Sequence, residues 1–438
     1  MREGPKRRGP RLGQRVPLTP RRLLDPALLT ATVIALVAFF TADTAARLPN
    51  FNPDESRWLS RAHYLADLRD PFGPTWDDQY MTRGQPPLGS YAMGVGLVVQ
   101  GRDLETNPPW NFALPWEENI ASGNKPSPED LAAGRRTSAA LVALTTLAII
   151  AVARVFAAMP WALVAGAIFA IHPFTISIGS IAMADALFGL LIALATLAAA
   201  AFARQPNWWR AALLGVVLGL GGATKLSPLA VAVGLGAALI ALAMVMVVRR
   251  RGLAGGVMRS ALLALYGLTI VVAAAMTFVA VYPYLWPDPV ARTRHLFAFR
   301  VAEMAAQASD WPVMAVPTRV EAVRRIGVNF TERFNLAASG AATIGLPPIP
   351  QPLRQAEVAL ALLGVVVMTG MAIRAGPLSP RFAVLAVLGG QVAVTILGMR
   401  AEFDRYHLPM ALLGVVAAAV ALEWLQRQAA RRLAGREP

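Results

Sequence analysis

The sequence contains no cysteine. That absence removes disulfides, thiolate zinc sites, iron–sulfur clusters and cysteine nucleophiles together. Histidine is nearly as scarce: His63, His172, His295 and His407 lie scattered through 438 residues, which does not suit an all-histidine metal site. Charge is thin as well. Charged residues make up 15% of the chain, against about 25% in soluble globular proteins. Hydrophobic residues make up 56%, and the mean hydropathy is +0.49. Repeated apolar runs of about 20 residues describe a chain solvated mostly by lipid, so the usual division into soluble domains does not apply. Disordered, collagenous and disulfide-rich secreted classes are excluded.

The net charge of +15 raises the question of nucleic acid, and the position of the charge answers it. Residues 1–25, 249–259 and 427–438 carry +13 of the total, at the ends of apolar segments. They read as topology signals facing anionic lipid. Membrane helices are predicted at 27–46, 135–157, 160–178, 183–203, 209–224, 226–248, 257–285, 356–373, 380–398 and 405–425. With the N-terminus inside, Arg154, the Arg204–Arg210 stretch, Arg249–Arg251, Arg374 with Arg381 and the C-terminal arginines all fall inside, as the positive-inside rule requires. The expected architecture is an all-α polytopic membrane protein with about ten crossings. A transmembrane body, 27–425, lies between basic cytoplasmic tails, 1–26 and 426–438. The first apolar segment is expected to be an uncleaved anchor rather than a removed signal.

Two long polar segments, 47–134 and 286–355, then lie on the outer side. The first holds twelve acidic and seven basic residues, the second five acidic and eight basic. Two juxtamembrane helices are expected in the first. One starts at Asn52-Pro53-Asp54-Glu55, with Asn52 as cap and Trp58, Leu59, Ala62 and Leu65 as its apolar stripe. The other starts at Gln85-Pro86-Pro87 and runs to Val99, roughly 22 Å, too short for a ~30 Å core.

Candidate chemistry gathers at the outer ends. Asp185 is the only acid between residues 131 and 287, and a lone carboxylate in an apolar stretch is a functional candidate unless it serves as a helix cap. Asp54 and Glu55 follow the first crossing closely. One could act as base while the other orients substrate or a cation, or both could complete a capping box. Lys225 is one of three lysines and the only one inside the apolar body; it could hold a phosphate as a point charge or snorkel to the interface. In the last outer turn Arg405 could bind phosphate bidentately or pair with Asp404 or Glu402, and Tyr406 could pack on a sugar. Arg135-Arg136 and Arg292, Arg294 and His295 add outer positive charge suited to an anionic headgroup, with solvated loop arginines as the competing reading. No cofactor is fixed by these residues. A divalent cation on Asp54 and Asp185 is the one candidate.

The ordered set Asp54-Glu55, Gln85-Pro86-Pro87-Leu88-Gly89, Ala182-Met183-Ala184-Asp185-Ala186-Leu187, Ala223-Thr224-Lys225 and Asp404-Arg405-Tyr406-His407-Leu408-Pro409 resembles the GT-C glycosyltransferases. It is most similar to the protein O-mannosyltransferases and the lipid A aminoarabinose transferases. The resemblance spans about residues 20–425. It implies an enzyme of a bacterial-type plasma membrane that moves a sugar, with inversion, from a polyprenyl-phosphate donor to a protein, lipid or glycan acceptor on the extracytoplasmic side, with no nucleic-acid partner. By carry-over, Asp54 is the acid that works on the acceptor or a cation, Glu55 its neighbour and Asp185 the acid of the second outer loop. Lys225 and Arg405 lie near the donor phosphate, with Arg135 and Tyr406 beside them. Gln85 stands where the mannosyltransferases commonly have histidine and the aminoarabinose branch lysine, so the resemblance leaves the sugar open. The competing function is a transporter or flippase for an anionic lipid-linked substrate. It calls for ionisable groups at mid-membrane rather than at one face.

Overall fold

The computed structural model describes residues 25–48, 50–249 and 254–434. The basic N-terminal tail, Arg250–Arg251 and the last four residues, all read above as topology signals, lie outside them. The described residues form helices and turns, with one isolated antiparallel bridge between Ala315 and Ala401.

Helix α1 (Pro26–Ala45) starts on an Asp25 cap, its carboxylate accepting from Ala27 N at 3.0 Å. Two short elements of the loop layer follow: α2 (Pro53–Ser60) and α3 (Leu88–Val99). The long helices are α4 (Pro128–Ala153), α7 (Asp185–Arg204), α9 (Ser227–Arg249), α10 (Ala254–Ala280), α12 (Gln351–Ala375), α13 (Pro380–Gly398) and α14 (Leu408–Ala434). Between them lie α5 (Met159–Ile171), α6 (Pro173–Gly179), α8 (Trp208–Gly222) and, in the second polar segment, α11 (Pro289–Asp310).

Among the described residues eight helices are long and apolar enough to cross a membrane, or nine if α5 and α6 count together. This is an integral membrane protein, and the expected ten crossings are corrected in three places. The segment 160–178 is not one straight helix: α5 and α6 meet at 59°. Its cause is Pro173, which disfavours helical geometry at His172 and lacks the N–H that would continue α5. His172 then caps α6, its Nδ1 accepting from Phe174 N at 3.2 Å. The segment 209–224 does form a helix, but α8 has 15 residues and spans about 22 Å, less than a bilayer core. The segment 257–285 ends as a helix at Ala280, and Pro283 opens a separate turn.

Chain direction alternates from helix to helix, so the end of α1 and the starts of α4, α7, α9, α12 and α14 share one end with both polar segments. Helix α7 is central. One apolar cluster joins it to α1, α4, α5, α12, α13 and α14, and a second joins it to α8, α9, α10 and α13. Its first residue, Asp185, is thereby held at the loop-bearing end.

The two polar segments close over that end as one layer. Tyr284 donates to Asp78 at 3.0 Å, Arg292 to the Trp76 and Tyr284 carbonyls at 3.3 and 2.6 Å, and Tyr80 to Glu303 at 3.0 Å. Beneath these bonds the rings of Tyr64, Trp76, Tyr91, Tyr282 and Tyr284 pack together. Burial raises the Tyr282 hydroxyl well above its ordinary range, so it stays protonated and donates to the Thr82 carbonyl.

Candidate functional site

Three turns meet beneath this layer. The first precedes α7. Asp185 is the first residue of the helix and is 2% exposed. It makes no cap: Ala184 occupies the cap position, and the Asp185 carboxylate is paired with the Lys225 ammonium. The second is the α8–α9 turn that carries Lys225, closed by Lys225 N donating to the Gly221 carbonyl at 2.8 Å. The Lys225 ammonium also lies 5.3 Å from the Phe188 ring centre and 5.7 Å from that of Tyr406. Cation–ring attraction and the carboxylate offset part of the desolvation cost of a lysine at this depth.

The third turn, Asp404–His407, leads into α14. Arg405 turns away from both acids of its own segment and donates to Asp54 Oδ2 at 2.7 Å. Asp404 pairs instead with Arg333 at 2.6 Å, and Glu402 with Arg325 at 3.2 Å. Sequence-distant Asp54 and Asp185 are thereby each tied to a cation of the same small region.

A cavity of about 420 Å³ lies between these turns, lined among others by Asp185, Lys225, Arg405, Tyr406, Gln85 and Pro86. Asp54 does not line it and adjoins it through Arg405. The surface helix is fixed against both acid-bearing turns. Leu88 N donates to the Ala223 carbonyl at 3.0 Å. At Gly89 any side chain is barred, since a Cβ would sit 2.4 Å from the Ala184 methyl and 2.6 Å from Trp58. Pro87 occupies the cap position of α3 and faces no cavity atom.

Three expectations are corrected. Glu55 is fully buried, and both of its oxygens are occupied: Oε1 accepts from Arg135 Nε at 2.7 Å and Ala182 N at 2.9 Å, Oε2 from Arg135 Nη2 at 2.7 Å and Asn52 N at 3.0 Å. It closes a capping box with Asn52 and is part of the frame, with no oxygen left for chemistry. Arg135 is consumed by that carboxylate and by the Ala46 and Asn50 carbonyls at 2.7 and 3.3 Å, so it reaches no phosphate in the cavity. The Asp54–Asp185 cation site is likewise not assembled. Each carboxylate faces a side-chain cation, and among the described residues no group of three or more His, Cys, Asp or Glu could hold a metal ion.

Of the other outer cations, Arg292 and His295 serve the loop layer, His295 lying 3.1 Å from Asp78. Arg136 pairs with Asp43 at 3.4 Å. None of the three lines the cavity.

Among the lining residues that escaped the sequence reading as site groups are Trp58, Arg300, Arg400 and Met304. Arg300 donates to the Gly84 carbonyl at 2.7 Å and pairs with Glu303. Arg400 is exposed and, among the described residues, makes no side-chain hydrogen bond or ion pair; its carbonyl accepts from Val316 N at 2.8 Å, stitching the segment after α11 to the turn before α14. Gln85 is fixed by Arg61, whose Nη2 donates to Gln85 Oε1 at 2.9 Å. Because guanidinium only donates, this bond orients the amide with its NH₂ free of Arg61. Arg61 is itself 3% exposed, stacked 4.5 Å from the Trp58 ring centre, and burial lowers its affinity for the proton.

A family model described as dolichyl-phosphate-mannose-protein mannosyltransferase matches residues 80–285, which include Gln85, Asp185 and Lys225. The fold is similar to that of the archaeal oligosaccharyltransferase AglB from Archaeoglobus fulgidus, solved with an inhibitory peptide and a dolichol-phosphate: TM-score 0.52, 11% identity, covering 93% of this chain and 51% of that one. The family match covers just under half of the chain, and the likeness to the oligosaccharyltransferase is one of fold. A second structure of the Archaeoglobus fulgidus oligosaccharyltransferase, tethered to an acceptor peptide, aligns with TM-score 0.51 and 13% identity over 92% of this chain and 50% of that one. The Saccharomyces cerevisiae protein O-mannosyltransferase Pmt1–Pmt2 complex, bound to its sugar donor, aligns with TM-score 0.41 and 16% identity over 60% of this chain and 34% of that one. The chain spans about half the length of the oligosaccharyltransferase chains it matches. No curated protein sequence matches it.

Proposed function

We propose that the protein is an inverting glycosyltransferase that takes a sugar from a polyprenyl-phosphate donor and gives it to an acceptor on the extracytoplasmic side. The observation that carries this reading is the convergence of Asp185, Lys225, Arg405 and Tyr406 on one cavity, with Asp54 bonded to Arg405. The ionisable groups gather at one end of the helices, which favours transfer at a face over passage through mid-membrane.

In the proposed reaction Asp54 accepts the proton of the acceptor hydroxyl as that oxygen attacks the anomeric carbon. The bond from that carbon to the phosphate oxygen breaks, and its electron pair leaves on the lipid phosphate. A phosphate leaving group needs no proton, only cations, and Lys225 and Arg405 supply them. A positioned base contributes typically about 10²- to 10⁴-fold, and preorganised charge usually more. Asp185 holds the Lys225 ammonium in place.

The charge balance favours a monophosphate link. Among the described residues Lys225, Arg300 and Arg405 pair with Asp185, Glu303 and Asp54, and Arg400 on the same wall is left over. A sugar phosphodiester carries one negative charge, and a diphosphate diester two. The test is Asp54→Asn with transfer measured from a radiolabelled polyprenyl-phosphate sugar. Turnover should fall by about 10² or more if the base is lost, and near-normal turnover would end the assignment.

A further inference from the structure

Both carboxylates nearest the cavity are already occupied. Asp54 is engaged by Arg405 at 2.7 Å, and Asp185 by Lys225. The two pairs are not equally fixed. Asp185 is 3% exposed by side chain, whereas Asp54 and Arg405 are 28% and 24% exposed, so the second pair is wet and can exchange partners. Among the described residues the Asp54 carboxylate has no other side-chain partner, and its backbone N–H, which donates to Asn52 Oδ1 at 3.0 Å, does not engage the carboxylate. Arg405 lies on the cavity wall, while Asp54 does not. An anion entering the cavity thus meets the Arg405 guanidinium and competes with Asp54 for its donors.

We propose that Arg405 is an interlock between donor and base. Without donor it holds the Asp54 carboxylate, and the arriving lipid phosphate takes over the guanidinium and releases Asp54 to the acceptor. This rests on the donor reading above and adds an order of events: donor first, then acceptor. A carboxylate oxygen engaged by a guanidinium is not open to an acceptor hydroxyl. Releasing it only when phosphate is bound keeps the base inactive towards acceptor alone.

The interlock makes an unusual prediction about binding. Asp54 competes with the phosphate, so removing its charge should strengthen donor-side binding even as it removes the base. The probe is undecaprenyl phosphate, titrated against the full chain in detergent, with undecaprenol as the phosphate-free control. Asp54→Asn should bind undecaprenyl phosphate about two- to fivefold more tightly than the wild type, the range expected when a part-exposed ion pair no longer competes. Binding of undecaprenol should stay unchanged, and Arg405→Gln added to Asp54→Asn should abolish the gain. Unchanged or weaker binding of undecaprenyl phosphate by Asp54→Asn overturns the interlock while leaving the donor reading in place. An equal gain for undecaprenol overturns it too, since the effect would then owe nothing to phosphate. No binding of undecaprenyl phosphate by the wild type overturns the donor reading itself, and the interlock falls with it.

Discussion

Removing either member of the Glu55–Arg135 pair should unfold the protein rather than merely silence it. Glu55 is fully buried and accepts four hydrogen bonds, two from Arg135 and two from backbone N–H groups of Ala182 and Asn52. Through them it ties the start of α2 and the turn before α7 to α4, and Arg135 extends the tie to the end of α1 at Ala46. Breaking a buried ion pair by deleting one partner costs about 3 to 5 kcal/mol, because the other charge stays desolvated. That is a large part of the about 5 to 15 kcal/mol that separates folded from unfolded states in typical proteins. Glu55→Ala and Arg135→Ala should therefore melt far below the wild type when the purified chain is heated in detergent and followed by tryptophan fluorescence. The double variant Glu55→Leu, Arg135→Met should recover only part of the loss. It removes the stranded charge but leaves the Ala182 and Asn52 N–H groups and the Ala46 carbonyl without partners, each worth about 1 to 3 kcal/mol. A Glu55→Ala chain that melts with the wild type yet transfers no sugar would refute this and restore Glu55 as a chemical group.

Two packing predictions are independent of chemistry. A Cβ at Gly364 would lie 1.8 Å from the Ala417 carbonyl oxygen, so Gly364→Ala should force α12 from α14 and cost about 1 to 3 kcal/mol by overpacking, read as a drop in detergent melting temperature. Gly370, on the same helix, meets nothing, and Gly370→Ala should melt like the wild type or slightly higher. His172→Ala removes the α6 cap and should cost about 1 kcal/mol, while His172→Asn, which can still accept from Phe174 N, should restore most of it in the same melt.

What the sequence made legible follows from how rarely a charge can stand in an apolar body. Asp185 and Lys225 were each conspicuous by isolation, and they meet. Arg405 was legible as a cation at a helix start, though not its partner, since Asp404 and Glu402 are nearer in sequence and Asp54 is not. Adjacency misled at Asp54-Glu55. On a helix neighbouring residues point about 100° apart, so Asp54 turns towards Arg405 while Glu55 turns into the frame. The spacing from Asn52 to Glu55 was the signal for the latter. The break at His172 was written in the proline that follows it. Arg300 lies on α11, whose faces mix charged and apolar residues, and its aim at the cavity is set by the loop layer, which local spacing does not encode. Arg400 is ordinary in sequence and significant only because every other cation on the cavity wall has an acid beside it.

That pairing also bounds what the proposed site can do. In a body of low polarity each cation needs a neutralising neighbour to fold, yet a fully neutralised site gives an incoming phosphate little to bind. The arrangement of Asp54, Asp185, Lys225 and Arg405 meets both demands if the pairs differ in firmness. The buried Asp185–Lys225 pair stays in place and orients its ammonium, whereas the wetter Asp54–Arg405 pair yields. Ground-state affinity for the donor is then reduced by the carboxylate that must be displaced. As the bond to the anomeric carbon lengthens, negative charge on the departing phosphate grows and the attraction to Arg405 and Lys225 grows with it. The acids therefore weaken donor binding more than they weaken the transition state, and only that difference raises turnover.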